Sequence, residues 1–264
     1  MVQRQTISEV VSKKQRGERI VMLTAYDYPM AVLLDRAGVD IVLVGDSLAN
    51  VALGLESTTQ IGMEGMLHHA KAVVRGVDQA IVIADMPFEA YQVDRQNAVF
   101  HARRFLFEAG CQGIKVEWFS GCLEVVGDLR AASIPVMGHV GLTPQTATDM
   151  KVQGREEAQA KKILSQARAL EAAGCFAVVL ECIPQDLAHQ VTESLNIPTI
   201  GIGAGPHCDG QVLVTNDMLG LNDRKVPKFV RQYGNLGQII VETVRKYKDD
   251  VGQGLFPADS ETFH

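Results

Sequence analysis

The chain has 264 residues, 47 % of them hydrophobic and 21 % charged, enough apolar side chain for a large core and too few charges for a disordered chain. Its 25 Lys+Arg against 31 Asp+Glu give a net charge of −6 with no basic block, which argues against nucleic-acid binding, because phosphate neutralisation needs clustered cations. No apolar run approaches the roughly 18 residues of a membrane span, and the polar N-terminus has no signal-peptide core. Five cysteines without a C-x-x-C pair point away from a disulfide framework or structural zinc and toward buried free thiols, so a cytoplasmic location is expected.

In chain order, residues 1–18 read as an N-terminal helical appendage. Short β-branched runs then recur at 20–24, 41–44, 80–84, 113–116, 134–137, 177–180, 199–202 and 211–214. Their near-continuous hydrophobicity is that of strands buried on both faces of a parallel sheet. Amphipathic stretches lie between most of them, clearest at 63–75, 94–108 and 155–173. Three helical stretches end in a Gly phrase (RAGVD at 36–40, EAGCQ at 108–112, AAGCF at 172–176), as expected where a helix hands over to a strand. Eight strands alternating with helices within one domain's length predict a (β/α)₈ barrel over 1–264, with an open doubly wound sheet as the alternative. Residues 255–264 read as an irregular tail.

In a parallel barrel the chemistry sits at the C-terminal ends of the strands. Those ends carry Tyr26-Asp27, Asp46-Ser47, Asp85, Lys115 with Glu117, His139, Glu181 and the run Gly201–Gly205 in turn. One or two of these acids are expected as helix N-caps. Four strand ends with acids, joined by a lysine and a histidine, exceed that. Carboxylates converging on one mouth repel one another unless a cation lies between them, and oxygen ligands from Asp46, Asp85 and Glu117 suit Mg²⁺. Lys115 and Glu117 are two apart and so share a face. Lys115 then pairs with a substrate anion, or, in a second reading, forms a Schiff base. Glu181 ends a wholly apolar strand, a setting that suits a general base. His139 is a candidate donor to a substrate oxygen or a satisfied core histidine. The glycine run fits a phosphate cradle or close backbone packing, and His68-His69 read as surface or interface residues.

LTAYDYPMA at 23–31, VLVGDSL at 42–48, ADMPF at 84–88, IKVE at 114–117, GHVGLTPQ at 138–145, KVQGR at 151–155, LECIP at 180–184 and IGIGAGPHCDGQVLV at 200–214 occur in one order. With them the chain resembles the ketopantoate hydroxymethyltransferase family over nearly its whole length. The resemblance implies a barrel of the phosphoenolpyruvate/pyruvate type, assembled as a homo-oligomer, a decamer or similar ring. It implies transfer of a one-carbon unit from 5,10-methylenetetrahydrofolate to the keto acid 3-methyl-2-oxobutanoate in pantothenate synthesis. Asp46, Asp85 and Glu117 would serve Mg²⁺, Ser47 and Lys115 would contact the keto acid, and Glu181 would accept the proton. The chain departs from the family pattern at Ala49-Asn50, at Trp118-Phe119-Ser120-Gly121, and in a short loop at 146–150. Another metal-dependent C–C enzyme of the same superfamily would be expected to carry a K-K-C-G-H type loop, which this sequence lacks. A non-catalytic barrel would be expected to have lost one of the acids.

Overall fold

The computed structural model describes residues 4–147, 149–222 and 226–264. Residues 1–3 of the expected appendage and residue 148 of the short loop lie outside the described residues. The chain divides into two compact units, one ending at Val214 and one running from Thr215 to His264.

The first unit is a closed barrel of eight parallel strands in sequential order, β1 to β8, with β8 paired back onto β1. The strands are Ile20–Thr24, Ile41–Val44, Ile81–Asp85, Gly113–Glu117, Val136–Gly141, Ala177–Glu181, Thr199–Ile202 and Gly210–Leu213. The expected runs agree to within a residue except β5, which starts two residues late and extends through His139 to Gly141. Its predicted start, Ile134-Pro135, precedes the ladder, as befits a proline that has no N–H to donate.

The helices of this unit are α1 (Ile7–Arg16), α2 (Tyr28–Arg36), α3 (Leu48–Val51), α4 (Met63–Val74), α5 (Ala98–Arg104), α6 (Cys122–Ala131), α7 (Glu157–Ala173) and α8 (Gln185–Ser194). The helix expected over 94–108 is not uniform: a 3₁₀ turn, Arg95–Asn97, leads into α5, and a π-helical turn, Phe105–Ala109, closes it. Gly110, at φ +85°, then ends the run in the left-handed conformation.

Strand alternation sorts the barrel into two cores. Ile20 and Met22, Ile41 and Leu43, Ile81 and Ile83, Met137, Ala177 and Val179, Ile200 and Val212 form one buried interior cluster. The intervening residues, Val42, Val44, Val82, Ala84, Ile114, Val116, Val178 and Leu180 among them, join the helices in the larger outer core. A fully buried Ile or Leu contributes about 1.5–3 kcal/mol, so these two clusters are the main source of stability.

Val10 of α1 belongs to the interior cluster. The helix starts with a capping box, Thr6 with Glu9, and Lys13 and Lys14 pair with Asp40 and Asp209, the residues just before β2 and β8. The N-terminal segment therefore plugs the N-terminal end of the barrel and is part of its core.

The second unit contains α9 (Thr215–Met218) and α10 (Leu236–Gly252), and the tail holds one short 3₁₀ turn, Asp259–Glu261. None of the residues of α10 is buried, and Ile239, Ile240, Val244, Tyr247 and Val251 are all exposed. Among the described residues no helix is long and apolar enough to cross a membrane.

Candidate active site

Extending the interior alternation two residues toward the strand C-termini replaces hydrocarbon with polar groups. Ile83 is followed by Asp85, Met137 by His139 and Val179 by Glu181, while on β4 both Lys115 and Glu117 are polar. The register sets these side by side: Asp85 opposite Lys115, Glu117 opposite His139, and Gly141 opposite Glu181. Asp46 and Ser47 enter from the turn after β2. All seven residues singled out from the sequence thus gather at one face of the barrel.

Asp46, Asp85, Lys115, Glu117 and His139 are buried, and Glu181 retains about 17 % of its side-chain exposure. Lys115 Nζ lies 2.8 Å from Asp85 Oδ1, and Asp85 Oδ2 accepts the Asp46 N–H at 3.0 Å. His139 stands between two acids, its Nε2 3.2 Å from Glu181 Oε2 and its Nδ1 3.6 Å from Glu117 Oε1. Neither imidazole contact, nor that of Asp85 Oδ1 with the lysine, is aligned as a hydrogen bond. Ser47 Oγ is 2.9 Å from Tyr26 Oη. A Cβ at Gly45 would come within 2.9 Å of Ser47 Oγ, so a larger residue there would displace the Ser47 hydroxyl. At Gly141, with φ +97°, a Cβ would meet the Glu181 carbonyl oxygen at 2.3 Å.

The electrostatics are those of a surplus of negative charge. Burial, and then the charge of Asp85, pushes the Asp46 carboxyl up to about 7. Burial raises Glu117 well above the ordinary range, although Lys115 pulls the other way. Burial lowers the lysine, but Asp85, Glu117 and Asp46 together outweigh it and hold Lys115 above its usual value. His139 is lowered, by burial first and by Lys115 second, which keeps the imidazole neutral at pH 7.

Two residues outside the sequence-derived set organise the acids. The buried Gln145 donates its side-chain amide to Asp46 Oδ2 at 2.9 Å and to the Met86 carbonyl at 3.0 Å, and its backbone N–H to Glu117 Oε2 at 3.0 Å. Its own oxygen accepts the Tyr91 hydroxyl at 2.5 Å, and that hydroxyl accepts the Glu117 N–H at 3.0 Å. Gln145 ends the GHVGLTPQ phrase, so a signal exists, but an amide carries none of the charge logic that marks a site. Tyr91 gives no signal.

The remaining candidates make local structural contacts. Asp27 caps α2 by accepting the Met30 N–H at 2.8 Å. His69 Nδ1 lies 2.6 Å from the Tyr26 carbonyl, and His68 is exposed. In the glycine run, close packing is visible: a Cβ at Gly201 would reach Cys208 Sγ at 2.9 Å, and one at Gly205 would reach Gln185 Cβ at 2.5 Å.

Among the described residues no three Asp, Glu, His or Cys side chains stand close enough together to enclose a metal ion as they are placed. The donor chemistry nevertheless fits a hard divalent cation. Asp46 and Asp85 are adjacent, all-oxygen and mutually repelling, and Asp85 Oδ1 is buried without an aligned hydrogen bond. Glu117 accepts the Gln145 N–H at 3.0 Å and lies 3.6 Å from His139 Nδ1.

Solved structures share this architecture. A phosphonopyruvate hydrolase crystallised with oxalate and Mg²⁺ superposes with a TM-score of 0.64 at 15 % identity, covering 98 % of this chain and 92 % of its own. A 2,3-dimethylmalate lyase of the PEP mutase/isocitrate lyase superfamily gives 0.61 at 14 % identity, covering 100 % and 89 %. These likenesses concern the fold. Sequence relatives lie much nearer. The 3-methyl-2-oxobutanoate hydroxymethyltransferase of Moorella thermoacetica is 52 % identical over 98 % of both chains, and that of Syntrophomonas wolfei is 50 % identical over 98 % of this chain and 95 % of its own. The family model for ketopantoate hydroxymethyltransferase matches residues 4–259, a span that includes every strand of the barrel and every acid at its mouth. On that match the chain belongs to the ketopantoate hydroxymethyltransferase family, and it is a transferase.

Proposed function

We propose that the chain converts 3-methyl-2-oxobutanoate to 2-dehydropantoate in pantothenate synthesis, taking the new carbon from 5,10-methylenetetrahydrofolate. The observation that carries this reading is the charge arrangement at the mouth: three buried acids share one lysine, and a fourth, Glu181, is set apart and partly open beyond a neutral imidazole. The first group suits a keto acid held with a cation, and the second suits a base.

The hydrogen on C3 of the substrate lies beside a ketone and is too weak an acid to leave unaided at neutral pH. Glu181 removes it, with the neutral imidazole of His139 3.2 Å from its carboxylate. Water adds to the methylene carbon of the donor as its bonds to the two folate nitrogens break, which releases tetrahydrofolate and leaves the carbon as formaldehyde. C3 adds to that carbon, and the carbonyl oxygen takes up the proton that Glu181 removed to become the hydroxyl. Lys115 and Ser47 orient the carboxylate of the keto acid, and Lys115 balances the negative charge that develops. Asp46, Asp85 and Glu117 would hold a divalent cation, Mg²⁺ by their oxygen chemistry, which when bound supplies Lewis acidity at the keto oxygen. Gln145 keeps Asp46 and Glu117 in place.

The protein is proposed to act as a homo-oligomer, a decamer or similar ring, in the cytoplasm. The exposed apolar side chains of α10 support association, and five free cysteines support a reducing compartment. Residues 1–18 and 255–264 are further candidate contact segments, and α1 is at the same time part of the barrel plug. Light scattering should give a mass well above 28.7 kDa at micromolar concentration.

The deciding experiment is a product assay with 3-methyl-2-oxobutanoate, methylenetetrahydrofolate and Mg²⁺, run beside a solvent-deuterium exchange assay lacking folate. Formation of 2-dehydropantoate, and C3 exchange without folate, are expected. Folded protein that does neither would overturn the reading.

A further inference from the structure

A second concavity opens on the catalytic face, beside the acid cluster. It encloses about 760 Å³, within the range of small-molecule sites, and its walls include Met63, Phe88, Glu89, Val93 and His101, with Gln145 shared between it and the acids. Met63 opens α4 beyond β2, Phe88 to Val93 follow β3, His101 is on α5, and Gln145 follows β5, so every wall lies beyond a strand C-terminus. Because the side-chain amide of Gln145 is bonded to Asp46, the cavity and the acid cluster meet at one residue.

The lining has two chemical parts. Met63, Phe88 and Val93 offer apolar contact, and Val93 leaves 68 % of its surface uncovered. The polar part contains one uncommitted acid. Asp94 is taken by Asn97 and His101, whereas the exposed Glu89 carboxylate has no hydrogen bond or ion pair among the described residues. Residues Glu89–Val93 form a π-helical turn, an irregularity that recurs where a helix is reshaped around a ligand. The acid cluster is small and charged and suits a small keto acid. The one-carbon donor is different: a broad, flat heterobicycle whose amino-pyrimidinone edge presents two adjacent N–H donors. Such an edge pairs with one carboxylate through two parallel hydrogen bonds.

We propose that this cavity receives the ring system of the one-carbon donor, with Glu89 accepting from its amino-pyrimidinone edge and Met63, Phe88 and Val93 covering its faces. The proposal rests on the folate reading above and assigns that reading a place. Gln145 then borders both the keto-acid site and the donor site.

Two surface-lying substitutions test it, read by calorimetric binding of tetrahydrofolate and by C3 hydrogen exchange without folate. Glu89→Gln removes the charged acceptor, and Val93→Trp fills the cavity. Each should weaken tetrahydrofolate binding by about tenfold or more and lower the transfer rate, while C3 exchange continues at the wild-type rate. Wild-type protein that binds tetrahydrofolate while both variants bind it equally well would overturn the cavity assignment and leave the folate reading standing. Loss of C3 exchange in both variants would also overturn it, by placing these residues in the keto-acid site. Wild-type protein that exchanges C3 hydrogen but binds no tetrahydrofolate would bring down the folate reading and this proposal together.

Discussion

The two ends of the barrel hold buried acids on opposite terms. At the N-terminal end each acid has its own partner: Asp40 has Lys13, Asp209 has Lys14, and Asp35 accepts the backbone N–H groups of Asp78, Gln79 and Ala80 at 2.8–3.2 Å. At the C-terminal end Asp46, Asp85 and Glu117 share Lys115, and burial pushes two of the three toward the protonated form. One end has its charges matched and closes the fold. The other keeps charge unmatched, which costs stability and leaves the site able to bind something positive. The same comparison separates residues whose loss should unfold the protein from residues whose loss should silence it.

The largest effects are expected at the unmatched end. Asp46→Ala and Asp85→Ala should each abolish metal-dependent turnover and leave the circular dichroism spectrum and cooperative melting intact. In protein free of divalent cations and at a pH above about 7, the melting temperature should stay level or rise, because a buried carboxylate whose ionisation the fold opposes has gone. A variant with an unchanged Mg²⁺ dependence of rate would show that the cation site lies elsewhere.

Glu181→Gln should have the next largest effect. It keeps size and hydrogen bonding but cannot accept a proton, so C3 exchange and transfer should fall together by about 10²–10⁴-fold. Keto-acid binding should survive, since it rests on the other residues. Exchange at the wild-type rate in this variant would remove Glu181 as the base and move the role to His139.

At the matched end the expected loss is in stability alone. Asp35→Ala leaves three N–H groups at the start of β3 without their carboxylate, which should cost about 2–4 kcal/mol by denaturant unfolding. The kcat of the folded fraction should stay at the wild-type level. A fall in kcat without a fall in stability would mean that the two ends are not separable in this way.

Much of this contrast is legible in the sequence, for a definite reason. A strand buried on both faces is hydrophobic throughout, so the first charged residue at its end stands out, as Asp85, Lys115, Glu117 and Glu181 all do. Period-two alternation by itself also puts Lys115 and Glu117 on one face. Gln145 and Tyr91 do not stand out, because their importance lies in four hydrogen bonds from distant parts of the chain and not in charge or pattern. The N-terminal plug reads as an appendage because α1 is mostly polar, and Val10, its one buried residue, gives no periodic stripe. The helix α10 has no counterpart among the expected elements, although Leu236, Ile239, Ile240, Val244, Tyr247 and Val251 follow a helical period. Its stripe comes after β8, where no further strand follows to mark it as the crossover of a βαβ unit.

The last expected effect is a slope with pH, and it belongs again to the unmatched end. In protein free of divalent cations, Asp46 holds its proton up to about pH 7, whereas in the unfolded chain it releases it near 3.8. Below about pH 4 both states are protonated and the group contributes no difference. Between about 4 and 7 the unfolded state gains by ionising while the folded state does not, so this group lowers stability as pH rises through that window. The sign is opposite to that of a salt-bridged carboxylate. Asn at position 46 still accepts from Gln145 but does not titrate, so the melting temperature of the wild type relative to Asp46→Asn should decline from pH 4 to pH 7 and level off above. A relative melting temperature that rises across that window would mean that the buried acid is already compensated, and the unmatched end would no longer be unmatched.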